Sequence, residues 1–225
     1  MIHTEREMLA LKETTQQMWR LVNSQLEKAK QALLQSDVTL ALEVVSREKR
    51  VDAFELKIDS DCENYIALYN PVAIDLRLCL SLIKISNTLE RIGDFAAGIA
   101  KHVIDDDCNN MASELLEALQ LETMLDMVLG MLSDSFAALE HENTKISGVI
   151  LAKDEEVNTI YHQSLEVLST YIKNNPDYSP CGLKVFLLVR RIERIGDHCC
   201  NLVEEIVFYI DAKVLKHSGK NKKKH

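Results

Sequence analysis

One pentapeptide occurs twice, and its repetition sets the architecture. Glu90-Arg91-Ile92-Gly93-Asp94 returns unchanged as Glu193-Arg194-Ile195-Gly196-Asp197, 103 residues later in a chain of 225. An identical string at just under half the chain length marks a tandem duplication, so each half folds as one unit. Only 7 Gly and 3 Pro punctuate the sequence, and 47% of it is hydrophobic. Breakers this sparse, among many Leu, Ala, Glu and Lys, point to long helices rather than strands. Aromatic residues make up 5%, which suits a bundle packed with aliphatic side chains.

Residues 3–35 read as a first helix. Asp37 is placed to cap a second, running to Tyr69. Asn70-Pro71 ends it, and Pro71 suits the first turn of a third helix reaching Val103. A polar link at 105–110 precedes a fourth helix over 111–141. Asn143 takes the capping position of Asp37. The fifth helix ends at Asn174-Asn175-Pro176, and the sixth runs from Ser179-Pro180 to Leu215. The expected fold class is all-α: two tandem three-helix bundle repeats at 3–105 and 110–215, six long helices, then a basic disordered tail at 216–225. In the third helix Leu78, Leu82, Ile85, Leu89, Ile92, Ala96, Ile99 and Val103 step by fours and threes, one continuous apolar seam. Its repeat is Val185, Leu188, Ile192, Ile195, Cys199, Leu202, Ile206 and Tyr209. The second helix carries Val44, Val51, Ile58 and Tyr65 at spacing seven. The fifth keeps Ile150, Val157 and Tyr171, with Ser164 interrupting.

The formal charge is −9, and five lysines fall in the last ten residues, so the body carries −14. An acidic body repels nucleic acid and attracts cations or basic partner surfaces. No basic face tracks phosphates, and the lysine tail reads as solvated. No apolar run approaches the length of a transmembrane helix, and the charged N-terminus lacks the apolar region of a signal peptide. The expected location is the cytoplasm, with membrane association only through partners. Six cysteines show no C-x-x-C pair, so reduced thiols are expected.

Within each pentapeptide the two carboxylates are four residues apart, on one helix face about 5–6 Å from each other. Leu89 and Ile92 belong to the seam, so Glu90 and Asp94 turn away from it. Gly93, Ala97 and Gly98 leave the helix surface low beside them. A second acid pair, Glu48 and Asp52, lies on the second helix and returns as Asp154 and Asn158. If the second and third helices are antiparallel neighbours, the two pairs meet. Four oxygen donors on two helices suit a hard or borderline metal ion. A lone acid pair on a helix is commonly just a solvated face. Three features weigh against that here: repulsion at i,i+4, letter-for-letter recurrence of the pentapeptide while its flanks differ, and recurrence of the second pair. His198-Cys199-Cys200 is a poor zinc site because Cys199 is a seam residue. The Glu-x-x-His tetrad of di-iron bundles is absent, as are a Walker A loop, a G-x-S-x-G elbow and a dinucleotide fingerprint. No catalytic residue is assigned.

Two tandem three-helix units, each with an acid-x-x-x-acid pair before a Pro turn and Glu-Arg-Ile-Gly-Asp after it, resemble the PhoU family. The segment from Asn70 to Arg77 (Asn-Pro-x-x-x-Asp-Leu-Arg) adds to the likeness, which covers residues 3–215. The resemblance implies a non-enzymatic regulator of phosphate uptake that links the Pst phosphate transporter to the PhoR sensor kinase, restrains the phosphate-starvation response, and dimerises. A partnership with a sodium–phosphate symporter, or a metal-dependent hydrolase or oxidase, stands as the alternative. The resemblance also implies metal ions held by the acid motifs: iron or zinc first, manganese or magnesium next. The first site is then Glu48, Asp52, Glu90 and Asp94. The second is Asp154, Asn158, Glu193 and Asp197, and it is expected to bind more weakly because Asn158 removes a charge. Asp75 and Arg77 are assigned to partner contact.

Overall fold

Both apolar seams are buried along their whole length, from Leu78 to Val103 and from Val185 to Tyr209, as are Val44, Val51, Ile58 and Tyr65. In the second repeat Ser164 is buried with its hydroxyl donating to Tyr161 O at 2.7 Å, so the interruption costs no unpaired polar group. The computed structural model describes residues 3–105 and 113–215. The polar link beyond residue 105 and the lysine tail lie outside the described residues. Among the described residues the chain is all-helical, without strands.

The helices are α1 (His3–Gln35), α2 (Val38–Ser46), α3 (Glu48–Tyr69), α4 (Ala73–Ile104), α5 (Ser113–Ala118), α6 (Leu121–Glu140), α7 (Ser147–Asn174) and α8 (Ser179–Asp211). Short 3₁₀ turns at Thr144–Ile146 and Pro176–Tyr178 precede α7 and α8. The expected six helices are thus eight. The second breaks at Arg47, whose N–H turns back to Val44 O and Val45 O. The fourth breaks at Gln120, which takes a left-handed φ of 52° and cannot continue a helix. Pro71 does not open α4. Asn70 ends α3 in the left-handed region (φ 50°), and the next helix begins only at Ala73. Cys181 is disulfide-bonded, against the expectation of six reduced thiols; Cys62, Cys79, Cys199 and Cys200 are free.

The predicted caps are present. Asn143 accepts from Lys145 N–H at 3.1 Å, and Asp37 accepts from Leu40 N–H at 2.9 Å. Asp37→Ala is expected to lower stability by about 1 kcal/mol. The check is a lower urea midpoint at unchanged denaturant slope.

Helices α3, α4, α8 and α7 lie side by side in that order, with α1, α2 and α6 packed behind them. The outer face of this layer therefore has three grooves. α4 and α8 join the repeats: Ser81 Oγ donates to Glu205 O at 3.2 Å, and Arg77 Nε donates to Tyr209 O at 3.3 Å. Behind them, Lys12 Nζ of α1 reaches Glu142 Oε1 at 2.8 Å and the Tyr209 hydroxyl at 3.2 Å.

Candidate functional site

The first groove runs between α3 and α4. Lys101 Nζ pairs with Glu48 Oε1 at 2.8 Å, Asn87 Nδ2 donates to Glu55 Oε1 at 2.9 Å, and Ser86 Oγ donates to Asp59 Oδ1 at 3.4 Å. Rising numbers on α3 meet falling numbers on α4, so the helices are antiparallel, as the acid pairing requires. Glu90 feels the result. Burial, then the charges of Asp94 and Glu55, push its carboxyl up to about 7 against the opposing pull of Arg91, with Asp52 adding to the rise. Asp94 is raised by burial, Glu48 and Asp52, with Glu90 and Lys101 opposing. All four predicted acids of the first site therefore share one electrostatic field.

The sequence reading missed Glu55 and Asp59. They continue the spacing 48, 52, 55, 59, a single helical stripe, and that periodicity was the available signal. It also placed Gly93 and Ala97 on a low outer surface. Both are buried. A Cβ on Gly93 would lie 3.3 Å from Val51 Cγ1 and 3.5 Å from Gln25 Oε1, so the glycine is where α3 closes onto α4.

The second groove, between α7 and α8, is built differently. Asp154 leans inward over Gly196, whose Cβ would sit 2.9 Å from Asp154 Oδ1. Only glycine leaves that space. Asn158 Nδ2 donates to Asp154 Oδ2 at 3.1 Å, so the departure from the acid pattern orients its neighbour. Asp154 Oδ1 is buried without a hydrogen-bond partner. Burial, then Asp197 and Glu155, push this carboxyl up to about 6, with Asn158 and Cys200 opposing. Glu193 is raised by burial and by Asp197, with Asp154 adding and Arg194 and Arg190 opposing. The second set is again one coupled group.

Asp75 is exposed at the start of α4 and lines a groove with Thr4, Leu9, Lys12 and Tyr65. Arg77 is half-buried, and its bond to Tyr209 O gives it a structural role between the repeats.

Among the described residues no three His, Cys, Asp or Glu side chains stand in a geometry ready to hold a metal ion. The donor sets nevertheless suit a hard or borderline cation. Carboxylates from two helices raise one another's protonation in each groove, and Asp154 offers a buried oxygen with no protein partner. Unpaired buried oxygens of this kind are costly unless something else satisfies them.

A family model described as "PhoU domain" matches residues 15–103 and 121–206. A phosphate-specific transport system accessory protein PhoU homolog of Burkholderia sp is 31% identical over 89% of this chain and 86% of that protein. The phosphate-specific transport system accessory protein PhoU of Escherichia coli (strain K12) is 31% identical over 88% of this chain and 81% of that protein. The crystal structure of PhoU from Pseudomonas aeruginosa superposes with a TM-score of 0.87 at 26% identity, covering 93% of this chain and 99% of that one. No helix among the described residues is long and apolar enough to cross a membrane.

Proposed function

The chain belongs to the PhoU family, and from that premise we propose that it is a cytoplasmic, metal-binding regulatory adaptor of phosphate uptake. In this reading it links a Pst-type phosphate transporter to a PhoR-type sensor kinase, holds the phosphate-starvation response down when phosphate is plentiful, and works as a homodimer. Relatives named as accessory proteins of a phosphate-specific transport system, similar over nearly the whole chain, support the transporter link. The observation that carries the metal reading is the pair of coupled carboxylate grooves, one per repeat.

Glu48, Asp52, Glu90 and Asp94 would hold an ion in the first groove. Asp154, Asn158, Glu193 and Asp197 would hold one in the second. Iron or zinc fits the family resemblance best, with manganese or magnesium next. A bound cation supplies positive charge that crosslinks two helices and removes the repulsion among their acids. The carboxylates contribute oxygen donors, Asn158 aims Asp154, and Gly196 makes room for it.

Two measurements test this. Elemental analysis of untagged protein purified without chelator is expected to find metal that the Glu90→Gln, Asp94→Asn, Glu193→Gln, Asp197→Asn variant lacks. A starvation-response reporter in a strain without the endogenous gene is expected to be silenced by the wild-type chain in high phosphate and poorly by the variant. Equal metal content and equal silencing would end the proposal.

A further inference from the structure

The central groove of the layer, between α4 and α8, holds Glu205, paired with Lys84, while the acids of the two pentapeptides turn away from it. On α4 the residues turned to α8 form one stripe. Lys84 Nζ reaches Glu205 Oε2 at 3.0 Å, and Phe95 stacks on His198 with ring centroids 5.6 Å apart. Gly98 lies under Arg191, whose Nε is 2.9 Å from where a Cβ would sit. Helical spacing puts Arg91 in this stripe, one turn from Phe95 and two from Lys84. On α8 the facing stripe runs through Lys184, Arg191, His198 and Glu205, and Arg194 falls between Arg191 and His198.

The two pentapeptides thus lie against each other in antiparallel copies. Each turns its carboxylates outward to its own groove and its arginine inward to the shared one. The Phe95–His198 stack sets the register here, so Arg91, one turn before Phe95, and Arg194, one turn before His198, flank that contact. His198 Nε2 is buried without a hydrogen-bond partner, while Nδ1 lies 3.5 Å from Asn201 Nδ2. Arg91 has a loose contact, Nε to Glu90 Oε2 at 3.8 Å, and its side chain is 59% exposed. Arg194 makes no ion pair among the described residues.

We propose that Arg91 and Arg194, with His198 beside them, form an oxyanion site at the junction of the two repeats, and that its ligand is inorganic phosphate. A guanidinium presents a planar fork of donors that matches two oxygens at once. Two forks and an imidazole nitrogen match a tetrahedral dianion, whereas a carboxylate has only enough oxygens for one fork. An acidic body of −14 holds such an anion only where cationic side chains gather, and Arg91, Arg191 and Arg194 all fall along this groove. Each repeat supplies one arginine, so the anion bridges the two halves of the molecule. The site does not depend on the metal reading. The choice of phosphate among tetrahedral oxyanions rests on the proposed role in phosphate uptake.

The test is isothermal titration of the full chain, freed of metal by EDTA and desalting, with inorganic phosphate at low ionic strength. Saturable binding at one per chain is expected. Arg91→Gln and Arg194→Gln should each weaken it about tenfold or more, and Arg20→Gln, on an exposed arginine elsewhere, should leave it unchanged. Should a glutamine variant fail to fold, Arg91→Lys and Arg194→Lys keep the charge and lose the fork; they are expected to bind more weakly than wild type. No saturable binding, or binding that every substitution at 91 and 194 leaves intact, overturns the proposal. Equal affinity for sulfate overturns the choice of phosphate. The carboxylates are untouched throughout, so failure here leaves the metal content of the native protein as a separate result.

Discussion

Trp19→Ala is expected to lower stability by about 3–5 kcal/mol, the usual range for emptying a large aromatic site in a core. Trp19 is the chain's one tryptophan and is 1% exposed. Its position explains why the loss should be felt across the molecule. The indole Nε1 donates to Leu132 O at 3.2 Å, and the ring packs on Phe136 at 5.7 Å between centroids. Trp19 is on α1 of the first repeat, and both partners are on α6 of the second. The side chain therefore fastens one repeat to the other as well as filling space. For a chain of this size the loss corresponds to a melting temperature lower by about 6–20 °C. Circular dichroism in urea is the proper readout, because the variant has no tryptophan fluorescence. Trp19→Phe keeps most of the volume and loses the hydrogen bond, so its cost should be about 1–2 kcal/mol. A Trp19→Ala midpoint within error of wild type would mean that α1 and α6 are held by other contacts. Two separate transitions in the variant would mean that the repeats come apart when this contact is removed.

The pattern that made the fold readable was the step of four and three along α4 and α8. Every residue of those seams is buried, because a helix that must hide one face has little freedom in where its apolar residues fall. Asp37 and Asn143 were readable for a similar reason: few residues other than Asp, Asn, Ser and Thr accept a backbone N–H at a helix start. The breaks at Arg47 and Gln120 left no such trace. Both residues are ordinary in helices, and nothing in their type marks a break there. At the site, the acids drew attention because like charges four apart are unfavourable on their own. Asn158 read as a weakened ligand, but in the fold its amide also donates to Asp154 and orients it. Beside two acids, the arginine of each pentapeptide draws no assignment of its own. Its placement in the shared groove follows from how two whole helices pack, which no window of sequence contains. Arg77 was assigned to partner contact from the family resemblance, and the structure adds a bond to the backbone of α8 that no local pattern announces.

Glu90→Gln should change sign in its effect on stability when metal is added. Without metal at pH 8, the variant is expected to melt about 2–4 °C above wild type, corresponding to about 1 kcal/mol after allowing for solvent screening of a partly exposed group. The reasoning is linkage. Glu90 titrates at about 7 in the folded protein, raised from 4.5, chiefly by burial and by Asp94. Between those two values the folded state holds a proton that the unfolded state has released, so stability falls as pH climbs through this window and then stays low. A glutamine has no charge to bury, and it escapes that loss. At pH 4.5 or below, Glu90 is protonated in the folded state, and the advantage disappears. His102 and His198, shifted down from 6.5 by burial, act in the opposite sense, losing stability as pH falls below 6.5. They are present in both proteins and cancel in the difference. Glu142, shifted down by Lys12 and Tyr209, contributes fully above 4.5 and also cancels. Metal reverses the comparison because it binds the carboxylate and not the amide. At a hundred times its dissociation constant, an ion stabilises the wild type by about 2.7 kcal/mol. The variant, lacking one of its four ligands, should gain far less, and wild type should then melt several degrees higher. Paired thermal melts at pH 4.5 and 8, with EDTA and with Fe²⁺, Zn²⁺ or Mn²⁺, read all of this. No gain in the metal-free variant at pH 8 would show that the acids between α3 and α4 are not congested. A gain that metal fails to reverse would show that they are congested but do not hold the ion.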